Sequence, residues 1–221
     1  MAHKQISPQP VVEGGIGVSS NTAYTVLCGG TTSTGAIQSI ASVGTADQAL
    51  TSNGASALPS FADLGSGTLG TVAATTSGTT VTYSGFPSST TLIVFGINNV
   101  SGSLSTGNFL LQLGDSGGIE TTGYSGTMWD GSTANVWSSG ATIISAATMD
   151  ATKTYVARIE ISLYDAATYT WIISVQSVSS STAVSAFGVG KKALSDVLTQ
   201  IQLSVTTGAF DAGSVNVLYY S

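Results

Sequence analysis

One-by-one alternation of apolar and polar residues recurs along this chain, and a period of two confines it to β-strands. Arg158-Ile159-Glu160-Ile161-Ser162-Leu163 and Gln200-Ile201-Gln202-Leu203-Ser204-Val205 each put aliphatic groups on one face and polar groups on the other, as a half-buried strand requires. Val81 and Tyr83 alternate with threonine, and Leu92-Ile93-Val94-Phe95 is an apolar run between turn signals at Pro87-Ser88-Ser89 and Asn98-Asn99. Phe109 to Leu113, Tyr169 to Val175 and Val215 to Tyr220 supply further strands. No window sustains a 3.6-residue period, and Ala193 to Leu198 allows at most about two helical turns. The expected class is therefore all-β, with residues 76–221 forming an antiparallel, jelly-roll-like β-sandwich.

The front of the chain obeys a different rule. Between Val11 and Asp63, small residues and glycine dominate, and short apolar pieces stop at turn signals: Tyr24 to Leu27 before Gly29-Gly30, Ala36 to Ile40 before Gly44, Ala49-Leu50 before Asn53-Gly54. Such strands are too short and too poor in large side chains to bury a core alone. They gain one if copies of the chain wrap together, each strand packing against its counterparts around an axis. Leu64 to Thr71, rich in glycine, reads as a hinge, and Pro8 and Pro10 keep the first ten residues extended.

Charge is scarce. Only 7% of the 221 residues are Asp, Glu, Lys or Arg, against roughly 25% in an ordinary soluble domain. The polar surface must then be made of hydroxyls and amides. No Asp, Glu, Lys, Arg or His occurs from Leu64 to Gly114, so that stretch holds none of the usual acid–base groups. The net charge of -6 disfavours nucleic acid and anionic membrane, which are held by clustered cations. The one basic pair, Lys191-Lys192, reads as a solvated turn. Cys28 has no partner for an internal disulfide and reads as a free, buried thiol. No basic segment leads into an apolar run at the N-terminus and no stretch of about 18 apolar residues occurs, so neither a signal peptide nor membrane insertion is expected.

One short motif invites an enzymatic reading. Gly114-Asp115-Ser116-Gly117-Gly118 matches the segment around the nucleophile of chymotrypsin-like proteases, but an activated serine needs an imidazole within reach. The chain has a single histidine, His3. The motif reads instead as a turn closing the strand Phe109 to Leu113, and the chain as no enzyme. Paired carboxylates for glycoside hydrolysis would have to come from Glu120, Asp130, Asp150, Glu160 and Asp165, with Glu160 facing outward beside Arg158 as a surface ion pair. Asp115, Glu120 and Asp130 offer oxygen ligands for Ca²⁺ without the repeated loop such sites use, and no metal or cofactor is expected. Trp129 and Trp137, with Asp130 and Asn135, form the candidate glycan contact, since ring faces stack on sugar C–H groups while amide and carboxylate hold hydroxyls. Core packing is the commoner use of tryptophan. Asp211-Ala212-Gly213 reads as a turn before the last strand.

The run "TAYTVLCGGTTSTGAIQSIASVGTADQALTSNGASALPSF", together with "LLQLGDSGGIETTGY" and "LTQIQLSVTTGAFDAGSVNVLYYS", resembles modules of tail-fibre and other surface proteins of bacteriophage virions. That resemblance implies a homotrimeric, non-enzymatic virion component assembled in the bacterial cytoplasm. On this reading residues 1–10 form an anchoring arm and 11–63 a short-stranded, intertwined trimerisation module. Residues 64–75 form a linker, and 76–221 the sandwich. In the arm, His3, Lys4, Pro8 and Pro10 are the candidates for docking onto another virion protein, capsid or tail, by adding to a sheet edge. The product is a short tail fibre or surface fibre whose sandwich contacts host glycan, or alternatively a capsid cement or decoration protein. A polysaccharide depolymerase is the enzymatic alternative.

Overall fold

The computed structural model describes residues 23–29, 36–46, 48–63, 65, 67–129, 134–137, 140–144, 151–180 and 185–221. The described residues contain strands and turns and no helix, so the chain is all-β. It divides into two compact units, residues 1–66 and 67–221.

In the first unit β1 (Leu27–Cys28) pairs antiparallel with β2 (Gln38–Ser39), and β3 (Gln48–Thr51) pairs antiparallel with β4 (Ser60–Asp63). Asn53, in the turn after β3, donates from its amide to Leu58 O and to Ser60 Oγ and closes the second hairpin. Ile40 is the one buried apolar side chain among the described residues of this unit; Tyr24, Leu27, Val43, Leu50 and Leu58 are exposed. Two-stranded ribbons this short are marginal without something packed against them. Cys28 is a free thiol, half-buried rather than enclosed.

Among its described residues the second unit holds fourteen strands: β5 (Thr68–Leu69), β6 (Ala73–Ala74), β7 (Thr80–Ser84), β8 (Leu92–Gly102), β9 (Phe109–Asp115), β10 (Gly118–Ile119), β11 (Tyr124–Trp129), β12 (Ala134–Val136), β13 (Thr142–Ile143), β14 (Tyr155–Asp165), β15 (Thr170–Ser179), β16 (Ser185–Ala193), β17 (Gln200–Val205) and β18 (Phe210–Tyr220). A nine-stranded sheet runs β12-β11-β16-β15-β14-β8-β18-β5, with β6 also on β18. A five-stranded sheet runs β10-β9-β17-β7, with β13 also on β9.

One core joins the two sheets. Ile93, Phe95, Ile159, Ile161, Ile173 and Val217 from the large sheet share it with Phe109, Leu111, Leu113, Ile201 and Leu203 from the small one. These are the apolar partners of the alternating runs, one residue in two along each strand. Tyr83 of β7 meets Phe95 of β8 edge to face at 6.0 Å, and its hydroxyl donates to Val215 O of β18 at 2.7 Å. The small sheet is thereby tied to the large one by both packing and a hydrogen bond.

Three local expectations are corrected. Within residues 64–75, expected as a linker, Thr68–Leu69 and Ala73–Ala74 form β5 and β6 and pair with β18 at Leu69↔Leu218 and Ala73↔Val215. A glycine- and threonine-rich segment satisfies its backbone there because β18 offers an open edge. The turn expected at Asp211-Ala212-Gly213 is instead an irregularity inside β18, where the register on β8 shifts between Phe210 and Ala212 and again between Ala212 and Ser214. Gly213 sits at φ 92°, and a Cβ there would lie 2.4 Å from Asn99 O; only glycine fits such a bulge. Ala193 to Leu198 contains no helix: its first residue ends β16 and the rest is a loop.

Candidate functional site

The outer face of the nine-stranded sheet carries the largest unexplained feature. Register places Trp129 of β11 directly opposite Phe187 of β16, and Phe187 opposite Gln176 of β15, which faces Arg158 of β14. The next row reads Val136, Thr127, Val189, Ser174, Glu160 across β12, β11, β16, β15 and β14. A third row holds Ser185, Val178 and Val156. All of these belong to the alternate set that points away from the core. Trp129 is 39% exposed, Phe187 61%, Val189 58% and Val136 74%. A shallow groove of about 590 Å³ crosses the face between Val156, Arg158, Gln176, Val178 and Phe187. The wet face of an antiparallel sheet is normally polar; this one is aromatic and aliphatic over three strands.

The two tryptophans proposed to share a sugar do not share a face. Trp129 lies outside, whereas Trp137 is 3% exposed and belongs to the core. Its indole lies over two glycines paired across β11 and β16, Gly126 and Gly190. A Cβ on either would come within 2.5 and 2.2 Å of the ring. Glycine inside a strand marks a close approach, a signal that Gly126 and Gly190 carry in the sequence without naming what approaches them. Trp137 is thereby a packing residue, not a sugar contact, because its ring faces are occupied. Of the remaining candidates, Asp130 lies outside the described residues, and so does the side chain of Asn135, whose backbone pairs with Met128 in β12. His3, Lys4, Pro8 and Pro10 lie outside the described residues as well.

The protease-like pentapeptide is a turn. Asp115 ends β9, Ser116 and Gly117 form the tip, and Gly118 opens β10. Asp115 Oδ1 accepts the Gly117 N–H at 2.7 Å, an Asx-turn. Its other oxygen accepts the Ser195 hydroxyl at 2.6 Å. Ser195 N donates to Glu120 Oε1 at 2.6 Å, and Glu120 Oε2 pairs with Lys192 Nζ. Lys192 is not in a solvated turn: it points inward from β16, 3% exposed, over the Tyr124 ring and donating to Ala193 O. Strand alternation sends one of two adjacent lysines inward, and Glu120 is what makes that tolerable. The Tyr124 hydroxyl in turn accepts from Leu113 N and donates to Glu120 O, and burial raises its pKa. These contacts buckle the β9–β10 turn to the end of β16.

The carboxylates of this buckle are tuned downward. Hydrogen bonds from Ser195 and Gly117 hold Asp115 below its usual range. Burial pushes Glu120 up, but the donors Lys192 and Ser195 outweigh it and leave it lowered. A depressed folded-state pKa contributes stability that is present above the unfolded value and lost as pH falls through the folded one. The melting temperature is therefore expected to fall below pH ~4, the region of the unperturbed carboxyls. Ser195→Ala, which removes the largest cause of the Asp115 shift, should flatten that fall. Melting curves from pH 7 to 2.5 check it; an unchanged slope in the variant contradicts the assignment.

The other described candidate carboxylates are engaged in local contacts. Glu160 and Arg158 form an exposed ion pair at 3.0 Å along one strand, and Asp165 caps the β14–β15 turn through Ala167 N and Thr168 Oγ1. Asp150 lies outside the described residues. Among the described residues no group of three His, Cys, Asp or Glu is placed to hold a metal ion. No family model, curated protein or solved structure matches the chain.

Proposed function

We propose that this chain is a non-enzymatic structural protein of a bacteriophage virion, a homotrimeric short tail fibre or surface fibre whose sandwich is used for attachment. The observation that carries the assembly half of the reading is the front unit. It pairs its short strands but encloses one buried apolar residue among those described, Ile40, which leaves its other apolar groups to be covered by identical chains. The virion half rests on the resemblance of residues 11–62, 110–124 and 198–221 to phage surface modules. Strand order supports a jelly roll: β6-β18-β8-β14 in one sheet and β7-β17-β9-β13 in the other is the interleaving that two nested Greek keys produce. The β15–β16 hairpin is then an insertion that widens one sheet.

A surface of hydroxyls and amides with few charges depends little on salt or pH, which suits a particle outside the cell. Quantitative mass spectrometry of purified particles tests the role. The chain is expected in the particle in a copy number set by the tail's symmetry; a number that follows the shell lattice would assign it to capsid decoration. Its absence from particles, or new reducing ends on host polysaccharide incubated with purified protein, overturns the proposal.

A further inference from the structure

We propose that the Trp129–Phe187 face of the nine-stranded sheet is an interface occupied by another copy of this same chain. The inference deepens the oligomeric part of the proposed function, since it rests on self-assembly and names the surface that the C-terminal unit contributes to it.

Size is the first argument. Trp129, Val136, Val156, Val178, Phe187 and Val189 are all exposed on one face, and side chains of this kind open on the order of 500 Å² of apolar surface, the upper range for a soluble monomer. The hydroxyl and amide groups set between them, Thr127, Ser174, Gln176 and Ser185, extend the face toward the ~800 Å² per partner of a specific interface. The composition matches as well: two aromatic anchors, Trp129 and Phe187, paired across β11 and β16, with neutral polar groups interspersed among the apolar ones.

Charge selects the occupant. The chain carries -6 overall, so two copies repel over most of their surface. This face is different, because among the described residues its charged groups are Arg158 and Glu160 on β14 and Lys191 on β16, adjoining the apolar rows. Those described groups hold both signs with no acidic excess. Around a three-fold axis, Lys191 at one side of the face can meet Glu160 at the other side of the next copy's face, so successive copies are complementary here where the rest of the molecule is self-repelling. A strongly basic partner would seek the acidic remainder, and an acidic one would meet Glu160 with only two cations in return.

Cysteine labelling of the full chain tests the proposal. In a Cys28→Ser background, Val189→Cys introduces a thiol at the middle of the face and Ser116→Cys one at the exposed turn tip. The expected result is maleimide labelling at position 189 at least 10-fold slower than at 116 at micromolar protein. The protection should be lost when Phe187→Thr is added, in a protein that sediments as a multiple of 22.1 kDa. Near-UV signals of the buried Trp137 and Trp171 report that each variant is folded. Equal labelling rates at the two positions overturn the proposal. So does protection in a protein that sediments as one copy, which would assign the face to another segment of its own chain. Protection that survives Phe187→Thr overturns it too. Absence of the chain from phage particles would refute the virion role and leave this result standing.

Discussion

Glu120→Ala is expected to cost about 3–5 kcal/mol, the loss measured when one partner of a buried ion pair is removed. The residue left behind is Lys192, 3% exposed on the inward face of β16 with Glu120 as its counter-ion. With the carboxylate gone, the ammonium is left in a poor solvent without its counter-charge, which is unfavourable. Because native domains hold only about 5–15 kcal/mol in all, the variant should melt far below the parent. The double replacement Glu120→Leu with Lys192→Met removes both charges together and should recover most of the loss. Urea unfolding of the parent, the single variant and the double variant checks this. A single variant within about 0.5 kcal/mol of the parent, the range of an ordinary surface change, would show that Lys192 reaches water and that the buckle is not buried.

Gly190→Val is expected to cost about 3 kcal/mol or more, at the top of the range for overpacking. A Cβ at 190 would stand 2.2 Å from Trp137 Cζ3 and 2.4 Å from Ser125 O, so the ring and the neighbouring strand must both move. The ring is held on its other side by the two-sheet core and its chain by the hydrogen bond from Trp137 N to Gly126 O at 2.9 Å. Trp137→Leu alone opens a void and destabilises. In that background Gly190→Val should cost markedly less, a coupling that a double-mutant cycle measures directly. Additive costs would separate the two positions and remove the glycine floor from the account.

How far the sequence declared this fold varies with the distance over which each feature is decided. β14 and β17 follow from alternation within six residues, and β8 from an apolar run between turns, because a period of two is a local property. Lys192 was hidden because its partner lies 72 residues away at Glu120; two adjacent lysines look like a wet turn until the strand that carries them is known. Trp137 was hidden too, because its site forms only when Gly126 of β11 is paired with Gly190 of β16. Residues 64–75 gave a linker's composition, and Thr68–Leu69 and Ala73–Ala74 within them became edge strands because β18, at the other end of the chain, had an edge to pair. In Asp211-Ala212-Gly213 the signal was genuine but ambiguous, since a turn and a bulge both use glycine at positive φ. The exposed face was half visible: Trp129 was singled out, while its partners Phe187 and Val189 became neighbours only once β16 was laid beside β11.

The account stands on shared interiors. The short strands around Ile40 and the apolar rows around Phe187 are both explained as surfaces that sister chains cover. Sedimentation equilibrium of the purified full chain tests that claim most directly. The account predicts a species of three times the 22.1 kDa chain mass that persists on dilution. A stable, folded single copy of 22.1 kDa at all concentrations would contradict it.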